Sequence, residues 1–224
     1  SDASPVTIAD KLIEKKIRKL LKSEFPSHSI FGEEYGGRLD DELGWCIDPI
    51  DGTRAFIAGK PIFGTLVALC NDGEPLLGLI DMPCLDETYV GYFDLKQKLS
   101  CVTLNGKNIS ASKKFDLSNA LIATSSPAAF TSKGFHKFQK ISKKCKDIYF
   151  GGDCHNYALL ASGHLDIVME HKLAPYDMMA LVPILLASGA VVTDWSGQPI
   201  KTHNSGEILA ASTPELHANV LSFL

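Results

Sequence analysis

A repeat of apolar residues at helical spacing predicts an amphipathic helix over residues 7–25. Thr7 is a suitable N-cap for this helix, and Pro26 stops it. Basic residues between Lys11 and Lys22 alternate with the apolar ones and are predicted to form a solvated face. The residues expected to share the apolar face are Ile8, Leu12, Ile13, Ile17, Leu20 and Leu21.

Short apolar segments separated by turn signals follow, and this pattern is typical of β-strands joined by hairpins. Asn71-Asp72-Gly73 and Asn105-Gly106 are the two hairpin signals. We therefore predict that the first half of the chain is mostly antiparallel sheet backed by helix. The predicted strands are residues 64–70, 76–80, 87–93, 99–104 and 107–111.

Strand and helix patterns alternate in the second half of the chain, which favours a mixed αβ arrangement. The predicted strands there are residues 120–125, 147–150, 165–170, 190–195 and 207–211. The predicted helices are residues 133–144, 155–162 and 176–188, with a C-terminal helix that Pro214 opens. We predict an α+β, or mixed αβ, chain with an N-terminal lobe of residues 1–112 and a C-terminal lobe of residues 113–224.

Composition narrows the functional classes. The 224 residues are 45% hydrophobic, which is enough for a large core in one domain or in two coupled lobes. A net charge of −4, without a basic stripe, argues against a nucleic-acid partner. The six cysteines include no C-x-x-C pair, which favours reduced, packed thiols. The longest apolar run is too short for a membrane span and no signal peptide is visible, so we expect a soluble, cytoplasmic protein without a membrane partner.

Candidate chemistry begins at residues 45–53, where an apolar strand runs directly into two carboxylates. Asp48 and Asp51 cannot both point into apolar packing unless a cation neutralises them. Carboxylate oxygens suit Mg2+, and the adjoining Gly52 and Thr53 suit a phosphate group. The alternative is a surface turn, for which Asp-Pro and Asp-Gly pairs are also typical. The segment reads Trp45-Cys46-Ile47-Asp48-Pro49-Ile50-Asp51-Gly52-Thr53.

Three further segments place acids in a comparable setting. They are Ser4-Pro5-Val6-Thr7-Ile8-Ala9-Asp10, Ile30-Phe31-Gly32-Glu33-Glu34 and Leu173-Ala174-Pro175-Tyr176-Asp177. In this order the four segments resemble the inositol-monophosphatase superfamily of Mg2+-dependent phosphatases, and the resemblance extends over nearly the whole chain. It implies the layered αβαβα sandwich of that superfamily, with a cleft between two lobes.

The resemblance implies a site that holds two or three Mg2+ ions. Four carboxylates that converge without such ions would repel one another strongly. Taken singly, Glu33 is equally compatible with a solvated loop, and Asp177 with a favourable charge at a helix N-terminus. The implied ligands are Glu33, Asp48, Asp51, Asp177 and the backbone carbonyl of Ile50.

The implied reaction is the in-line attack of a metal-activated water on a phosphate monoester. The resemblance gives catalytic roles to Thr53 and Asp10, which would orient the water, and to Glu33. Backbone N–H groups of Gly52 and Thr53 would hold the phosphate. The alternative for Asp10 is a capping role in the first helical turn, three residues after Thr7.

Departures from the inositol-cleaving members indicate a narrower branch. Those members commonly carry Gly-Thr/Ser-Ala where this chain has Gly151-Gly152-Asp153. The Gly-Asp-Cys and Asp-Gly-Thr-Arg-Ala-Phe strings look like the histidinol-phosphate phosphatase branch, which implies a role in histidine biosynthesis. A carboxylate at Asp153 beside Glu170 suits the cationic groups of histidinol phosphate, although Asp153 also suits a turn after two glycines. The implied substrate-binding residues are Gly52, Thr53, Gly151, Gly152, Asp153, Glu170 and Asp177.

Two other interpretations stay open. One is a phosphatase of the same superfamily that acts on inositol monophosphate or a nucleotide 3′-phosphate, and the other is a catalytically idle binding protein that keeps the fold. The resemblance also implies a homodimer and inhibition by Li+. Members of the superfamily carry a long helix and a mobile loop before the Ser-Pro-Val-Thr segment, whereas Ser1 falls almost directly at it. We therefore expect that first helix to be missing here, whether the chain begins where order begins or is a shortened form.

Overall fold

The larger of two β-sheets contains most of the first half of the chain in this computed structural model, which describes residues 7–39, 42–203 and 206–224. Its strands are β1 (Ser29–Gly32), β2 (Gly36–Gly37), β3 (Leu43–Asp51), β4 (Gly64–Asn71), β5 (Glu74–Met82), β6 (Glu87–Asp94), β7 (Leu99–Leu104) and β8 (Lys107–Asn108). They are ordered β2-β1-β3-β4-β5-β6-β7-β8. Neighbours are antiparallel except for β1 and β3, which run parallel.

The smaller sheet lies in the second half of the chain. Its strands are β9 (Leu121–Thr124), β10 (Asp147–Phe150), β11 (Ile167–Glu170), β12 (Val191–Thr193) and β13 (Ile208–Ala211). They are ordered β10-β9-β11-β13-β12. The first three are parallel, and β13 is antiparallel to both of its neighbours.

Helices pack around the two sheets, which confirms the predicted mixed αβ class. They are α1 (Ile8–Glu24), α2 (Thr53–Ile57), α3 (Ser132–Ser142), α4 (Cys154–Ala161), α5 (Pro175–Met178), α6 (Leu181–Ala187) and α7 (Pro214–Leu221). The single helix predicted over residues 176–188 is wrong, because α5 and α6 are separated by Met179 and Ala180. No helix among the described residues is long and apolar enough to cross a membrane.

The predicted hairpin between β4 and β5 is confirmed, and its turn shows why it could be predicted. Asp72 and Gly73 both have positive φ, at 49° and 76°, which is the backbone geometry of the tight turns that join antiparallel strands. Asn105 and Gly106 repeat this geometry between β7 and β8, at 49° and 75°. Strand β8 is shorter than predicted, with two residues instead of the five of the predicted strand 107–111.

The predicted apolar face of α1 is only partly buried: Leu21 is in the core and Ile17 packs against the same cluster, as predicted. Ile8, Leu12 and Leu20 are 80%, 54% and 61% exposed, whereas the buried residues of α1 include Asp10 and Glu14. Polar contacts explain this orientation. The Glu14 carboxylate pairs with Arg18 at 2.6 Å and accepts the Glu34 N–H at 2.7 Å, so it holds the turn that follows β1. The motif residues Ser4, Pro5 and Val6 lie outside the described residues.

The core that positions the site is continuous between the two sheets. One buried cluster contains residues of the larger sheet, such as Leu66 and Ile80, and of the smaller sheet, such as Val168 and Ala210. Helix α6 lies directly on β5 and β6 because both strands have a glycine at the contact. A Cβ at Gly78 would lie 1.9 Å from the Ala180 carbonyl oxygen, so any larger residue there would push the helix away.

All six cysteines are free thiols, as predicted. The expectation that they are packed holds for Cys46, Cys70 and Cys154, which are buried. It is wrong for Cys84 and Cys101, which are exposed, because both lie at turns or strand faces that the core does not cover.

Candidate functional site

The end of β3 brings two aspartates to one place. The pairing of β3 with β4 shifts register between Asp48 and Asp51, so the strand bulges where the acids occur. The Ile50 N–H donates to Asp48 Oδ1 at 3.0 Å. Gly52 then adopts the left-handed conformation, with φ of 82°, and α2 begins at Thr53. A residue with a Cβ would be strained at Gly52, which explains the glycine in this turn.

Two other elements bring carboxylates to the same edge. Because β1 and β3 are parallel, their carboxyl ends meet, and the Glu33 N–H donates to the Ile47 carbonyl at 3.2 Å. The carboxyl groups of Glu33 and Asp48 share a hydrogen bond. Asp177 lies in α5, where its Oδ2 accepts the Ala174 N–H at 2.7 Å.

Three of the four acids are close enough to bind one ion. One carboxylate oxygen from each of Asp48, Asp51 and Asp177 lies within 4.8 Å of the other two. Glu33 is not in that triad, but it lines the same cavity of about 270 Å3. The four predicted acids therefore line one cavity together with Ile50, Gly52 and Thr53.

Burial makes the negative charge of this cluster costly. Burial first, and then the charges of neighbouring carboxylates, raise the pKa of Glu33 to about 7, of Asp51 to about 8 and of Asp177 to about 7. Burial also raises the pKa of Asp48 well above its usual value. Close carboxylates in a partly buried cleft need a cation to stay ionised at neutral pH. Hard oxygen donors in this arrangement fit a divalent cation such as Mg2+.

Asp10 and Thr53 are near the acids but are bonded elsewhere. Asp10 completes a capping box with Thr7, whose N–H donates to Asp10 Oδ2 at 2.8 Å, so the capping role is confirmed. The Oδ1 atom of Asp10 is buried without a hydrogen-bond partner. The charge of Asp10 also raises the pKa of Glu33, although burial has a larger effect on that pKa. Thr53 Oγ1 donates to the Ile50 carbonyl at 2.9 Å. The structure shows no bond between Thr53 and Asp10 among the described residues, and their joint role stays a prediction.

A second cavity, of about 380 Å3, adjoins the first, and Asp51, Asp153 and Asp177 line both of them. Glu170 lies at the end of β11 and lines this cavity, although only 2% of its surface is exposed. Its Oε1 accepts the Ser125 N–H at 2.6 Å and the Ser125 hydroxyl at 2.7 Å. Burial raises its pKa to about 7, despite these hydrogen bonds.

Asp153 is held in this cavity by an unusual turn. Gly151 and Gly152 have φ of 87° and 114°, and Asp153 itself has φ of 44°. A Cβ at Gly152 would lie 2.3 Å from the Asn156 side-chain oxygen, so the turn requires glycine there. The next residue, Cys154, donates its N–H to Asp51 Oδ2 at 2.5 Å and so ties this turn to the acidic cluster. Burial raises the pKa of Asp153, and the charges of Arg54 and Lys60 oppose that rise.

Four residues of these cavities were missed by sequence reasoning. Arg54 and Lys172 line both cavities and bring positive charge to their junction. Ser125 orients Glu170, and Tyr157 lines the second cavity from α4. Only Arg54 had a signal in the sequence, because it directly follows the Gly52-Thr53 pair. Lys172 and Tyr157 lie near Glu170 and Asp153 in the sequence but carry no distinguishing pattern, and Ser125 comes close to the acids only through the fold.

Comparison with known proteins places the chain in a family. A sequence model of the Inositol monophosphatase family matches residues 1–223. The whole chain is 41% identical to "Bifunctional phosphatase IMPL2, chloroplastic" of Arabidopsis thaliana and spans 66% of its length, slightly under two thirds. It is 30% identical to a histidinol-phosphatase of Chlorobaculum parvum, with 99% of this chain and 83% of the relative covered. A solved inositol monophosphatase from Zymomonas mobilis matches with a TM-score of 0.90 and 44% identity, over 100% of this chain and 85% of that one. The chain belongs to the inositol monophosphatase family.

Proposed function

We propose that the chain is a Mg2+-dependent phosphomonoesterase that hydrolyses histidinol phosphate to histidinol and phosphate. The observation that carries this proposal is the pair of adjoining cavities. One is lined by the four clustered acids and by Asp153, and the other, which Asp153 also lines, adds the carboxylate of Glu170. A substrate that is anionic at one end and cationic at the other matches this distribution of charge.

We propose that the site holds two or three Mg2+ ions. Their ligands would be Glu33, Asp48, Asp51, Asp177 and the Ile50 carbonyl. When bound, Mg2+ supplies positive charge that stabilises the phosphate oxygens and lowers the pKa of water. The chain itself positions the reacting groups. Backbone N–H groups at Gly52 and Thr53 hold the phosphate, with Arg54 and Lys172 at the junction of the cavities to balance its charge.

The attacking water is oriented in this proposal by the Thr53 hydroxyl. In the structure Thr53 Oγ1 donates a hydrogen bond to the Ile50 carbonyl, which leaves the lone pairs of Oγ1 available to accept a hydrogen bond from water. Asp10 supports this geometry from α1, where its unpartnered Oδ1 is buried near Glu33. Glu33 would take its catalytic part through the metal that it helps to hold, since a bound cation keeps its carboxylate ionised.

The organic half of the substrate enters the second cavity. Histidinol phosphate carries an ammonium group and an imidazole, and either cation would be stabilised by Asp153 and Glu170. A neutral polyol would need hydrogen-bonding groups there but not a second pair of carboxylates. The relative from Chlorobaculum parvum, which is named a histidinol-phosphatase, supports this choice.

Inositol 1-phosphate is the second candidate substrate. It is favoured by the 44% identity to the inositol monophosphatase of Zymomonas mobilis. A catalytically idle homologue is disfavoured, because an acidic cluster that is costly to bury has no structural purpose in a scaffold. A homodimer, inhibition by Li+ and a cytoplasmic location stay predictions.

The test is a turnover assay with Mg2+ on histidinol phosphate, inositol 1-phosphate and para-nitrophenyl phosphate. The proposal expects the highest kcat/KM with histidinol phosphate. Asp153→Asn should lower that value by about ten- to a hundredfold, as for the loss of a charged hydrogen bond. Asp147→Asn, which changes an exposed aspartate of the preceding strand, is the matched control and should have little effect.

Two results would contradict the assignment. A wild-type preference for inositol 1-phosphate would replace histidinol phosphate by the second candidate. Equal loss on all three substrates in Asp153→Asn would show that Asp153 supports the fold or the metal site and does not select the substrate.

A further inference from the structure

The hydroxyl of Tyr157 is buried in the second cavity without a partner. Tyr157 lies in α4, is 2% exposed and lines the cavity together with Asp153 and Glu170. Among the described residues, no group forms a hydrogen bond with its Oη. A buried hydroxyl that lacks a partner is unfavourable, so its presence needs an explanation.

Tyr89 shows how the same fold satisfies a comparable group. It is also almost fully buried, at 1% exposed, but its hydroxyl donates to Glu87 at 2.8 Å. Phenylalanine would fill either position with nearly the same shape. The hydroxyl of Tyr89 therefore has a structural bond in the folded chain, whereas that of Tyr157 has none.

The surroundings of Tyr157 define what could supply the missing partner. Burial raises the pKa of the Tyr157 phenol well above its usual value, and the charges of Glu170 and Asp51 raise it further. The hydroxyl therefore stays protonated and can both donate and accept a hydrogen bond. The carboxylates act on it through space, without a direct bond. A group that enters between Oη and these acids would carry N–H or O–H donors, because it must satisfy acceptors on both sides.

We infer that Tyr157 Oη is a specificity-determining contact that binds a donor group on the organic half of the phosphate monoester. The identity of that group rests on the proposed function: it is the ammonium of histidinol phosphate, with a ring hydroxyl of inositol 1-phosphate as the counterpart. Oη accepts the hydrogen bond from an ammonium, and it can accept from or donate to a hydroxyl. The substrate thus satisfies a polar atom that the folded chain leaves unsatisfied.

The test compares Tyr157→Phe with Tyr89→Phe, which removes a partnered hydroxyl from a residue of similar burial. For each variant, Tm is measured without substrate, and kcat/KM is measured on histidinol phosphate, inositol 1-phosphate and para-nitrophenyl phosphate. Tyr157→Phe should keep or raise Tm, because an unpartnered polar group is removed. It should lower kcat/KM for the preferred natural substrate about tenfold more than for para-nitrophenyl phosphate. Tyr89→Phe should lower Tm and leave that ratio unchanged.

The outcomes separate this inference from the proposed function. A wild-type preference for inositol 1-phosphate would refute histidinol phosphate as substrate, while the Tyr157→Phe ratio would still test the contact on the inositol compound. An unchanged ratio in Tyr157→Phe would overturn the inference. A lower Tm, with equal losses on all substrates, would also overturn it, because it would show that the hydroxyl supports the fold.

Discussion

Replacing Glu170 by glutamine should remove a pH-dependent loss of stability. The Glu170 carboxylate is 2% exposed and accepts hydrogen bonds from Ser125 and from the Thr124 hydroxyl at 3.2 Å. In the variant, the amide oxygen can accept both Ser125 bonds, and the amide NH2 can donate to the Thr124 hydroxyl, which rotates to accept. We therefore expect the fold to be kept while the titratable charge is lost.

The magnitude follows from the shift in the pKa of Glu170. Burial raises it from 4.5 to about 7 in the folded state. The folded state then holds the proton more tightly than the unfolded state, so stability is greatest below pH 4.5 and falls until the pH exceeds the folded pKa. This rise in pKa corresponds to a loss of about 3 kcal/mol in the free energy of unfolding between low and high pH. About 2.5 kcal/mol of that loss occurs between pH 5 and pH 8.5. Glutamine does not titrate, so the variant does not lose this stability as the pH rises.

The assay is urea unfolding of both proteins at pH 5 and pH 8.5, without divalent cations. Relative to the wild type, Glu170→Gln should gain about 2.5 kcal/mol in the free energy of unfolding at the higher pH. Contributions of the other acids cancel in this comparison, except for coupling to the nearby Asp153. Glu24→Gln, at the exposed end of α1, is the control and should show no such gain. Equal differences at both pH values would refute the reasoning, because Glu170 would then titrate alike in both states.

Two further predictions concern the metal and the buried helix face. Mg2+ should raise Tm by binding only the folded state, and Asp51→Asn should shrink this increment and lower turnover by several orders of magnitude. Calorimetry with and without Mg2+ checks this, and a full increment in the variant would remove Asp51 from the ligand set. Glu14→Ala should lower the free energy of unfolding by about 3–5 kcal/mol, because it leaves Arg18 and the Glu34 N–H without their buried partner. Urea unfolding checks it, and a loss below about 1 kcal/mol would show that the contact contributes little.

Local signals explain what could be predicted of the fold. The turn at Asp72 and Gly73 is determined by its own backbone geometry, so β4 was predicted almost to the residue, whereas β5 extends two residues beyond its prediction at each end. The prediction of one helix over residues 176–188 was wrong, because α5 ends at Met178 and α6 begins at Leu181. Tertiary packing determines where this segment is interrupted. An apolar sequence is compatible with either one helix or two, and its pattern does not contain the break.

The site shows the same division between local and long-range information. Asp48 and Asp51 belong to one segment, and their approach follows from the bulge that the segment itself makes. The bond between Ser125 and Glu170 joins residues 45 positions apart, and nothing in either segment specifies the other. Tyr157 has helical neighbours that are mostly buried, so its pattern is that of any core residue. Its unpartnered hydroxyl exists only in the folded arrangement.

The part of the α1 prediction that failed has the same origin as the site. An amphipathic pattern predicts the buried face only if apolar contact is the strongest interaction available to the helix. Here Glu14 takes that face because it bonds the turn next to Glu33, and Asp10 lies beside the same acid. These buried carboxylates are unfavourable for packing, and they are retained where they position or surround the proposed metal ligands. A helix that departs from its own hydrophobic pattern is therefore a sign of a functional site, since local rules are broken where chemistry requires it.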